Sequence, residues 1–327
     1  MNSFVFTCGD INGIGPEISL KTIERILRKR KRQIYFVCPK NIFFSTLKNI
    51  NIDLDFEILS SIPGYRLEDG TLKVIDIGYG RQSVGKPTKT SGKISYASIM
   101  TSYKMIEKGI ADAMITAPIS KYSLSLAGID FPGHTELLAK LSKSKNFGMM
   151  FLSNKFHTAL LTIHEPISKV AKLLSQTLLK NKIELFYNTL KIDLKITNPK
   201  MAILGINPHS GENGKIGKEE IKIFNPVLSK NRSEYIQGPF VPDAFFGNRL
   251  YKNFDIVIGA YHDQVLIPFK LLNFNEGVNY TAGLSFVRTS PDHGTAFDIA
   301  SKNIADYKST YHAFIWAEKI VNNRKLK

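Results

Sequence analysis

Three histidines lie at the ends of apolar runs that have the composition of buried β-strands. The runs are residues 159–163, 201–206 and 255–261, and they precede His164, His209 and His262. Apolar runs of this length are typical of parallel strands that are covered on both faces. In open α/β sheets, ligands bind outside the carboxyl ends of the strands. If these strands share one sheet edge, three neutral imidazoles would form a metal site with one coordination position left for substrate.

The alternative is that each histidine is satisfied separately by backbone groups at its own strand end. The spacing of the three residues does not decide between the two interpretations, but the neighbouring segments favour a site. Residues 207–214 form a long polar turn immediately after a strand. Residues 261–264, Tyr-His-Asp-Gln, put four polar or polar-tipped side chains inside an apolar stretch, which is costly unless those groups are used.

The elements that must position these residues alternate between strand and helix along the chain. Pro16 and Glu17 start a helix where both residues are best tolerated. Strands are predicted at residues 3–8, 33–38, 54–59, 72–77 and 113–116, and further helices at residues 93–109, 166–190, 218–228 and 311–323. The pattern predicts an α/β fold with right-handed crossovers between parallel strands.

Length and composition exclude several classes of protein. A chain of 327 residues can form about two domains with a large core. No apolar run approaches the roughly 20 residues that span a bilayer, and the start of the chain has no signal-peptide pattern, so we expect a cytoplasmic protein without a membrane partner. Cys8 and Cys38 each end a probable strand, and we expect them to be reduced core thiols.

The formal net charge of +16 raises the alternative of nucleic-acid binding. The densest basic cluster, residues 28–32, ends the helix that starts near Glu17, where cations oppose the negative helix terminus. The other lysines are scattered, and no nucleic-acid-binding motif is present. We therefore expect a lysine-rich surface that attracts anionic metabolites, and no nucleic-acid partner.

Three further loops carry residues suited to chemistry. Residues 9–17 join a strand to a helix through glycines that permit close turns. Residues 132–138 open a helix whose free N–H groups suit a phosphate, although Thr135 could simply cap that helix. Residues 292–300, Asp-His-Gly-Thr-Ala-Phe-Asp-Ile-Ala, read as a loop leading into a helix.

Taken together, these segments closely resemble the 4-hydroxythreonine-4-phosphate dehydrogenases, a family of pyridoxal phosphate biosynthesis. The matching segments occur in the same order over nearly the whole chain: residues 9–17, 116–121, 133–138, 207–214, 261–264 and 277–300. Residues 13–17 and 293–300 are also distantly similar to the terminal motifs of isocitrate and isopropylmalate dehydrogenases. The resemblance implies two α/β domains with a largely parallel sheet core, similar to those dehydrogenases, with the active site in the interdomain cleft. The approximate boundaries are residues 1–127 plus 286–327 on the cofactor side, and residues 128–285 for metal, substrate and dimerisation.

The resemblance also implies roles for individual residues. The metal ligands would be His164, His209 and His262. The substrate contacts would be His134, Thr135, Lys270, Asn279 and Arg288. The dinucleotide would be held by His293, Gly294 and Asp298, with Asp298 near the ribose hydroxyls. The general base is less specified: Asp243 is preferred, and Asp263 is the alternative.

The activity implied is oxidation of 4-phosphohydroxy-L-threonine at C3 with NAD, or NADP, followed by decarboxylation to 3-amino-2-oxopropyl phosphate. The resemblance implies one divalent metal per site, zinc, magnesium or cobalt, and a homodimer with the active site at the subunit interface. Two departures from the family pattern concern cofactor affinity: Ile11-Asn12 replaces Pro-Ala, and Phe297 replaces leucine. The alternatives are a sibling dehydrogenase of a phosphorylated sugar acid such as 4-phosphoerythronate, and a metal-dependent hydrolase, which would need no dinucleotide loop.

Overall fold

The computed structural model describes residues 1–29, 31–131, 133–230 and 235–326. The strands are β1 (Ser3–Thr7), β2 (Gln33–Val37), β3 (Phe56–Leu59), β4 (Leu72–Ile75), β5 (Ala113–Ile115), β6 (Gly148–Leu152), β7 (His157–Leu160), β8 (Met201–Leu204), β9 (Ile236–Phe240), β10 (Ile256–Gly259), β11 (Val278–Ala282) and β12 (Val287–Pro291). The helices are α1 (Gly15–Lys29), α2 (Lys40–Ile50), α3 (Lys89–Glu107), α4 (Lys121–Leu126), α5 (His134–Leu141), α6 (Ile167–Leu173), α7 (Gln176–Ile192), α8 (Asn225–Lys230), α9 (Pro242–Gly247), α10 (His262–Asn273) and α11 (Lys308–Lys325). Within the described ranges, no helix is both long and apolar enough to cross a membrane.

The chain divides into two compact units. The first unit comprises Met1–Leu138 and Phe286–Val321, and the second comprises Ala139–Ser285 and Asn322–Lys327. In the first unit the strand order is β3-β4-β2-β1-β5-β12, and each neighbouring pair is parallel. The central strands β1 and β2 are buried along their whole length, as expected for a sheet covered on both faces.

In the second unit the strand order is β11-β6-β7-β10-β8-β9. The pairs β7–β10, β10–β8 and β8–β9 are parallel, whereas β6 pairs antiparallel with both β11 and β7. The predicted α/β fold with a largely parallel sheet is therefore confirmed. The antiparallel strand β6 lies in a stretch for which the sequence pattern predicted no strand.

Several helix boundaries differ from the prediction for local reasons. The helix predicted over residues 166–190 is two helices, because Leu174 is extended and the Ser175 hydroxyl caps α7 by accepting a hydrogen bond from Leu178 N–H. The helix predicted over residues 218–228 is a π-helical turn, Glu220–Phe224, followed by α8. The loop at residues 292–300 does not lead straight into a helix, because α11 begins only at Lys308.

The two cysteines and the basic cluster lie where the sequence predicted. Cys8 and Cys38 directly follow β1 and β2, and both are buried free thiols. Helix α1 ends at Lys29, in the basic cluster, with Arg28 paired to Glu24 one turn earlier. Arg32 forms an ion pair with Glu318. Arg30 lies outside the described residues.

Candidate active site

The three histidines follow three neighbouring parallel strands of the second unit. His164 lies after β7, His209 after β8, and His262 opens α10 after β10. Because β10 lies between β7 and β8 in the sheet, all three residues follow the carboxyl ends at the same edge. The rings of His164 and His262 are neighbours, with centroids 6.3 Å apart and planes inclined by 36°. The sheet order thus brings together distant segments of the chain at one edge.

Two of these histidines have unusual backbone conformations. His164 has φ 51° and His209 has φ 53°. The turn that carries His209, Pro208–Gly214, has positive φ at every residue from His209 to Asn213. Placing a non-glycine residue in the left-handed region costs on the order of 1–3 kcal/mol of conformational free energy. Such residues persist where the surrounding structure enforces the conformation, and they are common at functional sites.

His262 has a defined hydrogen-bond partner. Its Nδ1 lies 2.6 Å from Oδ1 of Asp263. A carboxylate on Nδ1 orients the ring and leaves Nε2 as the atom that faces a ligand, which is the usual arrangement around metal-bound histidines. Asp263 is therefore placed to orient His262. The other carboxylate considered as general base, Asp243, is exposed in the first turn of α9, a helix that contacts the turn carrying His209.

The donor chemistry of this edge fits a divalent transition metal, since imidazole nitrogen is a preferred ligand of zinc, cobalt and related ions. However, in the described part of a single chain, no three histidine, cysteine, aspartate or glutamate side chains converge closely enough to hold an ion. Two of the three predicted ligands, His164 and His262, are neighbours at this edge.

A second cluster lies in the first unit around a buried arginine. Arg288, on β12, is 2% exposed and donates from Nε and Nη2 to the Thr116 hydroxyl at 3.0 and 2.7 Å. Burial lowers the pKa of Arg288 to about 9, and the negative charge of Glu136 acts in the opposite direction. The guanidinium is therefore still charged at neutral pH.

His134 adds an uncharged imidazole to this cluster. Burial first, and the charge of Arg288 second, hold the pKa of His134 well below 6.5. Its buried Nε2 has no hydrogen-bond partner within the described chain. Thr135 is buried inside the first turn of α5, so the alternative that it caps this helix is wrong. A charged arginine beside a helix N-terminus and a neutral imidazole is a set of groups suited to an anion.

Two further predicted substrate residues lie in the second unit. Asn279 is on β11, and its buried Oδ1 has no hydrogen-bond partner in the described ranges. Lys270 is partly buried on α10, the helix that His262 opens. A buried amide oxygen without a partner is rare in folded proteins, and it is typical of a position that binds a ligand.

The predicted cofactor loop packs tightly against the first glycine-rich loop. Ile14 N–H donates to the Thr295 carbonyl at 3.0 Å, and a Cβ at Gly13 would lie 2.6 Å from that same oxygen. Only glycine fits this backbone-to-backbone contact. His293 Nδ1 lies 3.1 Å from the Gly294 carbonyl oxygen, and Asp298 is exposed on the same loop.

Two residues of the first loop have structural roles that sequence reasoning missed. Asp10 is fully buried and accepts hydrogen bonds from the hydroxyls of Ser123 and Ser91 and from Asn12 N–H. Burial raises its pKa, against the effect of these hydrogen bonds. The Asn12 side chain donates to the Lys86 carbonyl and accepts from Ser83 N–H, so this departure from the family pattern fixes the 83–88 segment. The sequence feature that could have indicated these roles is an acid and an amide between apolar residues and glycines of a strand-to-helix loop.

Comparison with known proteins identifies the family. A model of the family described as pyridoxal phosphate biosynthetic protein PdxA matches residues 29–317. The chain belongs to the PdxA family. The resemblance found in the sequence motifs is thereby confirmed.

Similar proteins match the chain over nearly its full length. A 4-hydroxythreonine-4-phosphate dehydrogenase from Sulfurihydrogenibium sp. is 39% identical over 321 residues, which cover 96% of both chains. One of the same name from Beijerinckia indica is 37% identical and covers 96% of this chain and 94% of that relative. A crystal structure of 4-hydroxythreonine-4-phosphate dehydrogenase from Klebsiella pneumoniae superimposes with a TM-score of 0.84, at 33% identity and 98% coverage of each chain. Such similarity supports an oxidoreductase role in pyridoxal phosphate biosynthesis for a PdxA-family chain.

Proposed function

We propose that this PdxA-family protein oxidises 4-phosphohydroxy-L-threonine at C3 with NAD, and that the resulting 3-keto acid loses carbon dioxide to give 3-amino-2-oxopropyl phosphate. The observation that carries the proposal is the buried Arg288 cluster, because it supplies a charged donor and a neutral imidazole for a phosphate. The near-full-length similarity to proteins named for this reaction supports the same assignment.

Substrate binding is assigned to five residues. Arg288 and His134 would donate to the phosphate, together with backbone N–H groups at the start of α5, where Thr135 lies. Lys270 and Asn279 would bind the carboxylate and the amino-acid end of the substrate. Arginine suits the phosphate because its planar fork donates two parallel hydrogen bonds.

Metal binding is assigned to His164, His209 and His262, with Asp263 orienting His262. A bound divalent ion of the zinc, cobalt or magnesium type supplies Lewis-acid stabilisation of negative charge on the substrate oxygen. Asp243 would take the proton of the C3 hydroxyl as that carbon is oxidised. Asp243 suits this role by its position, because it is exposed in the first turn of α9, the helix that contacts the turn carrying His209.

Cofactor binding is assigned to the loop that contains His293, Gly294 and Asp298. These residues would hold NAD, which would supply the hydride acceptor for oxidation at C3. The carboxylate of Asp298 would accept hydrogen bonds from the adenosine ribose, and it would repel the 2′-phosphate of NADP. A higher kcat/KM with NAD than with NADP is therefore expected, and equal values for the two cofactors would contradict this role of Asp298.

We also propose a homodimer in which each active site is completed by both subunits. An apolar stripe on α10 and its C-cap supports this arrangement. Ile267 and Leu271 on the helix and Phe274 at the C-cap are 59%, 81% and 80% exposed at helical spacing. An exposed stripe of this kind is typical of a protein–protein interface. Mixing His209→Ala with Lys270→Ala protein should then restore activity in heterodimers if each site takes these two residues from opposite subunits. Absence of recovery, with subunit exchange verified, would contradict this arrangement.

The central test is direct. The purified protein is mixed with a divalent metal salt, NAD and 4-phosphohydroxy-L-threonine. We expect reduced cofactor, measured by its absorbance, and carbon dioxide to form in equal amounts. The matched comparison replaces the substrate with 4-phosphoerythronate, which lacks the amino group. Faster turnover of 4-phosphoerythronate would favour the sibling dehydrogenase, and turnover of neither would refute the proposal.

A further inference from the structure

A glutamine side chain connects the two strand ends that carry His262 and His209. Gln264, in the first turn of α10, accepts a hydrogen bond from Ala260 N–H through Oε1 and donates through Nε2 to the Gly205 carbonyl, both at 2.6 Å. Ala260 directly follows β10, and Gly205 directly follows β8. An amide is required at this position, because one end of the side chain must accept and the other must donate.

A buried glutamate holds the same segment from the other side. Glu220 is 2% exposed, and its Oε1 accepts from the backbone N–H groups of Ile206 and Asn207 at 2.8 and 2.9 Å. Its Oε2 accepts from Asn207 Nδ2 at 2.8 Å. These are the donors immediately before the strained turn at His209. Glu220 begins a π-helical turn, an irregularity frequently found at functional sites.

The glycines at the strand ends leave the space that these two side chains occupy. A Cβ at Gly259 would lie 3.0 Å from Gln264 Oε1 and 2.6 Å from Val265 Cγ1. A Cβ at Gly205 would lie 2.3 Å from Ser210 Oγ and 3.1 Å from Glu220 Oε1. The Ser210 hydroxyl in turn donates to the Pro239 carbonyl at 3.1 Å, which ties the turn to the end of β9.

We infer that Gln264 and Glu220 are positioning residues for the metal histidines: together they fix the strained turn of His209 to the strand end that precedes His262. The inference rests on the proposed metal-binding role of these histidines. Without the two side chains, the left-handed turn would lose its hydrogen bonds to α10 and to Glu220 and would relax more easily, because its φ angles are unfavourable by themselves. Hydrogen-bonded groups of this kind typically change metal affinity by about 10–100-fold when they are removed.

The test compares metal binding by Gln264→Met and Glu220→Gln with that of matched exposed controls, Gln237→Met on β9 and Glu184→Gln on α7. Zinc and cobalt Kd values are measured by competition with a chelating dye on metal-free protein, alongside melting temperature. We expect each positioning variant to raise Kd about ten-fold or more, while the controls keep the unmodified value. Equal Kd values in all folded variants would overturn the inference.

A second measurement does not depend on the metal. In metal-free protein, amide hydrogen exchange of residues 205–213 should accelerate in Glu220→Gln and in Gln264→Met but not in the controls. Glu220→Gln replaces one of the two oxygens that accept from Ile206 and Asn207 with a donor, and Gln264→Met removes the donor to the Gly205 carbonyl. Unchanged exchange would overturn the inference, as would global unfolding of both positioning variants, since that would make them general core residues. If the unmodified protein binds no metal, the proposed metal-binding role of the histidines is wrong. The hydrogen-exchange result still decides whether Gln264 and Glu220 hold the turn.

Discussion

At the scale of single residues, His164 and His209 adopt φ angles of 51° and 53° just after the buried strands β7 and β8. A positive φ is uncommon for residues other than glycine, although histidine is several-fold enriched among those that adopt it. The same edge carries the oriented His262–Asp263 pair. In the first unit, the buried Arg288 lies near His134, whose buried Nε2 has no hydrogen-bond partner among the residues that the structure describes.

The first residue-scale prediction concerns His209→Ala. Removing one neutral nitrogen donor leaves two histidines, so stoichiometric metal binding should be lost, and alcohol oxidation and decarboxylation should fail together because both need the same charge stabilisation. NAD should still bind, and melting should change little, because His209 is exposed and contributes little to the core. Elemental analysis, NAD titration, melting and turnover are measured on one preparation. Full metal content with normal turnover would mean that His209 is only an exposed turn residue.

The second residue-scale prediction concerns the buried carboxyl of Asp10. Because burial raises its folded-state pKa above the ordinary 3.8, the folded state favours the neutral form. Its contribution to stability is therefore fully present below pH 3.8 and is lost as pH rises through the folded-state pKa. Asp10→Asn should remove this pH-dependent loss. Urea unfolding from acidic to neutral pH measures it, and identical pH profiles for the two proteins would contradict the prediction.

At the scale of elements, the contact between the two glycine-containing loops of the first unit depends on the absence of a side chain. Gly13 lies against the Thr295 carbonyl, and Ile14 N–H donates to that oxygen. The predicted cofactor segment is thus held by backbone contact with the loop that starts α1. The element-scale consequence is that the position of residues 293–298 depends on the 9–17 loop.

Gly13→Ala tests this contact. The added Cβ would be 2.6 Å from a backbone oxygen, so the loops must separate, with an expected loss of about 1–3 kcal/mol in the free energy of unfolding. NAD affinity should fall in the same variant. Gly64→Ala is the matched control, since no atom lies within 4 Å of the added carbon. Urea unfolding and NAD titration give the answer, and a Gly13→Ala protein equal to the control in both would refute the loop-contact argument.

At the scale of the whole molecule, two surface features affect the binding of other molecules: the formal net charge of +16 and the exposed apolar stripe on α10. The positive surface attracts anionic metabolites such as phosphorylated amino acids and dinucleotides. The stripe lies on the helix that begins with His262 and carries Lys270, so the association of two copies through it would also affect the histidine edge.

Leu271→Lys tests the proposed dimer. A lysine in the middle of the α10 stripe should weaken self-association, because a buried unpaired charge is unfavourable in an interface. Ile304→Lys is the matched control, since Ile304 is 66% exposed outside this stripe. Molecular mass by light scattering over a concentration series should show monomer for the first variant and dimer for the control. A dimeric Leu271→Lys protein with unchanged dissociation constant would exclude this face as the interface.

The sequence by itself determined the properties that depend on local pattern. Apolar runs followed by polar residues predicted the strands before His164, His209 and His262, and proline with an acid predicted the start of α1. The helix start at His134 followed from the same reasoning, although Pro132 lies outside the described residues. These features are local because strand ends and helix starts are set by nearby hydrogen bonding and by side-chain periodicity.

Only the tertiary structure decided the order of the strands, and therefore which residues meet. That order places β10 between β7 and β8 and makes β6 antiparallel, although neither follows from local composition. The left-handed turn at His209 and the hydrogen bonds that Gln264 and Glu220 make to residues 205–207 also depend on partners that are distant in the sequence. Strand pairing and buried hydrogen bonds join residues far apart in the chain, so their energies are fixed by packing and have no signature in a short window of sequence.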